Sequence, residues 1–68
     1  MAKTDTAACI RLAMAKAQVS GRQLATWMMV TETTVSRWRD KGCDKITTLE
    51  NIAHYCKMNY DELMALAD

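Results

Sequence analysis

Residues that interrupt helices are scarce in this sequence. Its 68 residues include no proline and only two glycines, Gly21 and Gly42. A β-protein of this size would normally need more turn residues and more alternation of β-branched with polar residues. Half of the residues are hydrophobic, which is enough for one compact core, and the length allows one domain. We therefore predict a single all-α domain over residues 1–68.

Five short helices follow from the spacing of apolar residues and from helix-start signals. The predicted helices cover residues 6–17, 21–28, 32–40, 48–56 and 60–67, in which apolar residues recur at the i, i+3, i+4 and i+7 spacing of one helix face. The predicted N-caps are Thr4 or Asp5, Ser20, Thr31, Thr47 and Asn59. Three of them are followed three residues later by Gln or Glu, which completes a capping box: Ser20, Thr47 and Asn59. Ile46 would be the staple residue before Thr47, and Gly42 the left-handed residue that ends the third helix.

The predicted core consists of the apolar faces of these helices. Its members are Ile10, Ala13, Met14, Ala17, Leu24, Ala25, Met28, Val35, Trp38, Leu49, Ile52, Ala53, Cys56, Tyr60, Leu63, Met64 and Ala67. The third helix has only two of these anchors, Val35 and Trp38, and the rest of its surface is polar. That composition favours a helix that presents its outer face to a partner.

Residues typical of catalytic or metal sites do not form a readable pattern. The three cysteines lack a CxxC spacing, which argues against a disulfide framework or a zinc site. Cys9 and Cys56 are expected to be small core or boundary residues, and His54 a boundary residue. The six methionines are expected to fill the core rather than to form an adaptable surface. We predict no enzyme, no cofactor and no metal.

Charge is distributed unevenly along the chain. Residues 1–45 carry eight basic and four acidic side chains, a net charge of +4. Residues 46–68 carry one basic and four acidic side chains, a net charge of −3. One end of the molecule is therefore suited to a polyanion, although a scatter of solvated charges is the alternative.

The segment around residues 19–38 resembles the helix-turn-helix family of phage lambda repressor and Cro. The residues that carry this resemblance are Val19, Ser20, Leu24, Ala25, Val30, Thr31, Val35, Ser36 and Trp38. Residues 46–53 and 59–63 are similar to the fourth and fifth helices of the family, so the resemblance covers about residues 8–66. It implies a five-helix, lambda-repressor-like DNA-binding domain with its helix-turn-helix at about residues 20–40. In that arrangement, five residues form the core shared by the two helices: Leu24, Ala25, Val30, Val35 and Trp38.

The same resemblance implies which residues read DNA bases. The positions that face the bases correspond to Glu32, Thr33, Ser36 and Arg37. Arg37 can donate two hydrogen bonds to guanine, and the Thr33 methyl group can contact a thymine methyl. Glu32 can accept from cytosine N4, repel wrong sequences, or complement the start of its helix.

Contacts to the DNA backbone are expected from helix starts and from cations beside the reading helix. The predicted phosphate contacts are Ser20, Arg22, Gln23, Thr31, Arg39, Lys41 and Lys45. Each would contribute affinity that is independent of sequence and sensitive to salt.

Several residues depart from the family pattern. Gly21 stands where a phosphate-binding Gln is usual. Met29 stands where the turn usually has Gly, so a turn of the usual geometry would give Met29 a positive φ. Met14 and Arg39 stand where many members have a paired Arg and Glu. We therefore predict that Arg39 has no acidic partner and that its charge is free for DNA.

These features predict a stand-alone Cro-type repressor that occupies a near-palindromic operator as a homodimer, formed either in solution or only on DNA. Candidate dimer surfaces are the acidic C-terminal end with Leu66 and the loop around Cys43. No apolar run is long enough to span a membrane, and the first residues lack the apolar stretch of a secretory signal. The expected location is the cytoplasm of a bacterial cell or phage-infected host. The alternative is a protein-interaction module of the same fold that binds a toxin or another regulator.

Overall fold

The chain folds into five helices in a computed structural model that describes residues 5–66. They are α1 (Thr6–Ala17), α2 (Gly21–Met28), α3 (Glu32–Lys41), α4 (Ile46–Tyr55) and α5 (Tyr60–Ala65). No strand occurs within that range, so the predicted all-α class is confirmed. The bounds of α1 and α2 are the predicted ones, and α3 is one residue longer than predicted.

Two predictions about α4 are wrong. The helix begins at Ile46, two residues earlier than predicted, so Ile46 is its first residue and not a staple before it. Thr47 is consequently inside the helix and forms no capping box with Glu50; the N-cap is Lys45, which provides no side-chain hydrogen bond. The helix ends at Tyr55, one residue earlier than predicted. Helix α5 ends at Ala65, with Leu66 as its cap, so the predicted continuation toward Ala67 is wrong at Leu66. Ala67 itself and the alternative cap Thr4 lie outside the described residues.

The other predicted N-caps are confirmed. Ser20 Oγ accepts a hydrogen bond from the Gln23 N–H at 3.0 Å, and Gln23 Oε1 accepts from the Ser20 N–H at 3.2 Å. The same reciprocal pair joins Asn59 and Glu62 at the start of α5. Asp5 and Thr31 cap α1 and α3 through their side-chain oxygens. Each cap satisfies a backbone N–H that has no partner within its helix.

The core is apolar and lies where the helices meet. Helix α1 packs against α3 and α5, and α2 packs against α3 and α4. The buried core residues are Ala7, Cys9, Ile10, Ala13, Met14, Leu24, Ala25, Val35, Leu49, Ile52, Ala53, Cys56 and Leu63. The remaining predicted core residues between 5 and 66 are partly buried around it: Ala17, Met28, Trp38, Tyr60 and Met64. Burial raises the pKa of the Cys56 thiol, which keeps this cysteine protonated and weakly reactive.

Three helices are followed, within two residues, by a residue other than glycine with a positive φ. These residues are Gln18, Met29 and Lys57, with φ of 58°, 58° and 61°. After α2, the Met29 N–H donates to the Thr26 carbonyl at 3.3 Å and the Val30 N–H donates to the Ala25 carbonyl at 2.9 Å. This is the Schellman pattern that normally favours glycine. The positive φ predicted for Met29 is thus confirmed.

Replacing Met29 with glycine is expected to stabilise the fold by about 1 kcal/mol. A side chain in this conformation costs about 1–2 kcal/mol, and part of the gain is offset by the greater entropy of unfolded glycine. The Met29 side chain is 92% exposed, so the expectation that the methionines fill the core is wrong at this position, and little packing is lost. Urea denaturation of Met29→Gly measures the gain. Gln18→Gly, with the same φ, should behave alike, and an unchanged or lower stability of both variants would contradict the expected strain.

Gly42 ends α3 in a conformation that only glycine adopts readily. Its φ is 86° and its ψ is −174°, so the predicted positive φ is confirmed but the left-handed helical conformation is not. A Cβ atom at this position would lie 2.1 Å from Thr6 Oγ1. The next residue, Cys43, donates its N–H to the same Thr6 Oγ1 at 3.1 Å. The loop after α3 is therefore held against the start of α1.

Candidate nucleic-acid interface

Helices α2 and α3 are joined by a connection of three residues, 29–31. Leu24 and Ala25 of α2 and Val35 of α3 are buried, and Val30 and Trp38 are partly buried against the core. The Thr31 side chain caps α3 by accepting from the Thr34 N–H at 3.2 Å. These contacts hold α3 across α2 by its apolar side and leave its opposite side open.

The residues predicted to read bases lie together on the exposed part of α3. Thr33, Ser36 and Arg37 follow the i, i+3, i+4 spacing of one helix face, and all three are exposed. Glu32 is also exposed and occupies the first turn, where its negative charge complements the helix dipole. Asp40 continues the same face one turn beyond Arg37 and gives it an acidic end.

Arg37 borders a shallow depression at the C-terminal end of α3. The depression is lined by Thr34, Arg37, Trp38, Gly42, Cys43, Asp44, Lys45 and Thr48. Two candidate DNA contacts, Arg37 and Lys45, thus share one surface although eight positions separate them. Thr48 of α4 was not among the predicted contacts, because only the path of the chain from α3 into α4 places it there.

The predicted phosphate-contact residues are all exposed, and they lie on several elements. Arg22 and Gln23 belong to the first turn of α2, and Ser20 is its cap. The Ser20–Gln23 capping box uses Ser20 Oγ and Gln23 Oε1 as acceptors. The Ser20 hydroxyl proton and the Gln23 amide nitrogen are the groups left to donate toward an anion. Lys41 is the last residue of α3, and Lys45 is the N-cap of α4.

Arg39 is exposed, and its guanidinium forms no ion pair with an acidic side chain between residues 5 and 66. It lies beside Gly21 instead: a Cβ atom built on Gly21 would be 3.3 Å from Arg39 Nη1 and 3.7 Å from Val35 Cγ1. The Arg39 backbone carbonyl accepts a hydrogen bond from Arg11 Nη1 of α1. Sequence reasoning missed Arg11, because its contact depends on how α1 packs against the end of α3.

A groove with different chemistry lies away from α3. It has a volume of about 710 Å³ and is lined by Lys16, Ala17, Gln18, Val19, Gln23, Trp27, Tyr55, Cys56, Lys57, Met58, Glu62, Ala65 and Leu66. The Trp27 and Tyr55 rings stack with centroids 5.5 Å apart, and Tyr55 Oη donates to the Trp27 carbonyl at 3.1 Å. The lining combines this aromatic pair and aliphatic side chains with charged ones, Lys16, Lys57 and Glu62, and it includes no residue of α3.

The described helices include none that is both long and apolar enough to cross a membrane. Comparison of the chain with protein-family models, with curated proteins and with solved structures finds no match. The resemblance to the lambda repressor and Cro family therefore stays a prediction from the residues that carry it. The function proposed below is supported by the arrangement of α2, α3 and the cations around them.

Proposed function

We propose that this chain is a sequence-specific regulator of transcription that binds double-stranded DNA. Its fold would be the lambda-repressor-like one, with α2 and α3 as the helix-turn-helix. The main support is the exposed polar surface of α3: Thr33 and Arg37 lie opposite the buried Val35, and Glu32 and Ser36 are exposed beside them. A helix attached by one apolar edge, with its polar face outward, can enter a major groove without disturbing the core.

The dimensions and side chains of α3 suit base recognition. An α-helix with its side chains is about 10–12 Å across, and the major groove is about 12 Å wide, so the 10-residue α3 can lie in it. Arg37 would donate two hydrogen bonds to guanine, and Thr33 would contact a thymine methyl. Glu32, near the start of the helix, would accept from cytosine or repel other bases. The acidic Asp40 would lie toward the edge of the contact.

The cations around α3 would supply affinity for the DNA backbone. Arg22, Arg39, Lys41 and Lys45 are exposed and belong to the predicted phosphate contacts, together with Ser20, Gln23 and Thr31. Each neutralised phosphate releases counterions, so affinity falls as salt rises. These contacts would place the protein on the duplex, and the α3 face would select the sequence.

A domain with one reading helix gains affinity and specificity by binding as a two-fold dimer. We propose a homodimer on a near-palindromic operator, with half-sites about 34 Å apart, acting as a Cro-type repressor by blocking promoter access. The C-terminal end with Leu66 and the loop around Cys43 remain the candidate dimer surfaces. The proposed setting is the cytoplasm of a bacterial cell or a phage-infected host.

Selection of bound sequences from a random duplex library, followed by a salt titration on the selected duplex, tests this function. We expect a near-palindromic consensus. With about eight cationic phosphate contacts per dimer, affinity should fall by roughly 10³–10⁵-fold between 50 and 200 mM salt. A duplex of the same length and base composition in scrambled order is the control, and it should bind far more weakly. Absence of any enriched sequence would contradict the proposal.

A protein-interaction module is the second candidate, and the groove beside Trp27 and Tyr55 is the observation that favours it. Trp27 is 42% exposed, and large aromatic side chains are common at protein interfaces. Binding through the exposed Trp27 ring would depend weakly on salt, whereas DNA binding would depend on it steeply. A library selection without enrichment, combined with salt-insensitive capture of a toxin or a second regulator, would favour this alternative.

A further inference from the structure

The contact between Gly21 and Arg39 links the start of α2 to the last turns of α3. We propose that Gly21 is a positioning residue for DNA binding: its missing Cβ lets the Arg39 guanidinium lie against α2, where Arg39 binds a backbone phosphate. This inference rests on the proposed DNA-binding function. It assigns to a glycine and a distant arginine one joint role, which neither residue has alone.

The geometry places Gly21 directly beside the Arg39 guanidinium. A Cβ atom on Gly21 would be 3.3 Å from Arg39 Nη1 and 3.7 Å from Val35 Cγ1. Val35 and Arg39 are four residues apart, so they share one face of α3. The buried Val35 packs this face against α2, and Arg39 extends it to the surface. A larger side chain at position 21 would therefore press on the guanidinium first, because Arg39 is the more mobile neighbour.

The backbone of Arg39 is also held in place. Its carbonyl belongs to the last turn of α3, where carbonyl groups lack a partner within the helix. Arg11 Nη1 of α1 donates to this carbonyl. The Arg39 backbone is thus fixed by α1, while its guanidinium lies beside α2.

The guanidinium is suited to a phosphate for two reasons. No acidic side chain between residues 5 and 66 pairs with Arg39, so its charge is not neutralised within that part of the protein. Its planar donors match two oxygens of one phosphate group. Arg39 also lies at the border between α2 and the exposed face of α3. In a duplex whose bases contact Thr33 and Arg37, the sugar-phosphate backbone would lie close to this border.

Substitutions at position 21 test the pairing without removing a charge. Gly21→Ala should shift the guanidinium by only a few tenths of an ångström and leave affinity nearly unchanged, whereas Gly21→Leu should displace it and lower affinity about five-fold. Arg39→Gln should cost about the same as Gly21→Leu, and each should reduce the salt slope by about 0.9 per half-site. Each variant should lose affinity by the same factor on every DNA sequence, as expected when a phosphate contact is removed. Ala and Leu favour helices more than Gly does, so thermal melting should show unchanged or raised stability.

The double variant Gly21→Leu with Arg39→Gln tests whether Gly21 acts through Arg39. It should bind no more weakly than Arg39→Gln alone, because the guanidinium that the leucine would displace is already absent. Arg22→Gln removes a neighbouring cation and is the matched control: its loss should add in full to that of Gly21→Leu. Additive losses for Gly21 and Arg39, or a salt slope that Gly21→Leu leaves unchanged, would overturn the pairing but not the proposed function. A wild-type chain that does not bind duplex DNA would overturn both.

Discussion

Replacing Gly42 with alanine is expected to destabilise the folded chain by about 3 kcal/mol. The φ of 86° and ψ of −174° lie in a region that is essentially restricted to glycine and costs other residues about 1–3 kcal/mol. The added Cβ would also lie 2.1 Å from Thr6 Oγ1 and 3.1 Å from the Ala7 backbone nitrogen. Because the Cys43 N–H is hydrogen-bonded to Thr6, the loop cannot move away without losing that bond.

Urea denaturation of Gly42→Ala measures this cost, and Gly21→Ala is the matched control. Gly21 lies in a helix without a positive φ, so its alanine variant should be as stable as the wild type or more stable. The double variant Thr6→Ala with Gly42→Ala removes the close contact but keeps the backbone strain. Its loss of unfolding free energy should therefore be smaller than the sum of the losses of the two single variants. Wild-type stability of Gly42→Ala would show that the loop adopts another conformation.

Replacing Arg37 with alanine is expected to weaken binding to the preferred operator by about 2 kcal/mol and to relax the preference at one base pair. A bidentate contact between arginine and guanine contributes about 1–3 kcal/mol of discrimination. The side chain is exposed on α3, so its removal should change folding stability by less than about 0.5 kcal/mol. Binding curves on the operator and on single-base variants measure both effects.

Lys45→Ala is the matched control for Arg37→Ala. Both residues are exposed cations that line the same depression, but Lys45 is assigned to the DNA backbone. Its removal should lower the affinity for all DNA sequences by the same factor. It should also reduce the slope of log affinity against log salt concentration by about 1. If Arg37→Ala leaves the sequence preference untouched, the face of α3 formed by Thr33, Ser36 and Arg37 does not meet the bases.

The local features of the fold were readable from the sequence because they depend on residues close in the chain. The capping boxes at Ser20 and Asn59 involve side chains three residues apart, and the bounds of α1 and α2 follow from apolar spacing. The positive φ at Met29 was predictable from the length of the turn and from the resemblance. The capping box predicted for Thr47 and Glu50 is wrong for the same reason. A capping-box pattern is local, and it does not indicate whether a helix has already begun upstream.

The candidate site was predictable only as a set of exposed residues on α3. That Thr33, Ser36 and Arg37 share a face follows from helical spacing alone. That Arg37 and Lys45 line one depression depends on the path of the loop between α3 and α4. That loop is positioned by Thr6, which contacts Gly42 and Cys43 from a distant part of the chain. No local pattern marks Thr6 for that role.

The helical class, the order of the helices, most of the caps and the polar face of α3 follow from the sequence alone. These depend on backbone hydrogen bonds and side-chain spacing within about one or two turns. The packing of the helices is needed to place Arg39 beside Gly21, Arg11 at the Arg39 carbonyl and Trp27 against Tyr55. Such contacts join residues far apart in the chain, and they exist only once burial of the apolar faces has brought the helices together.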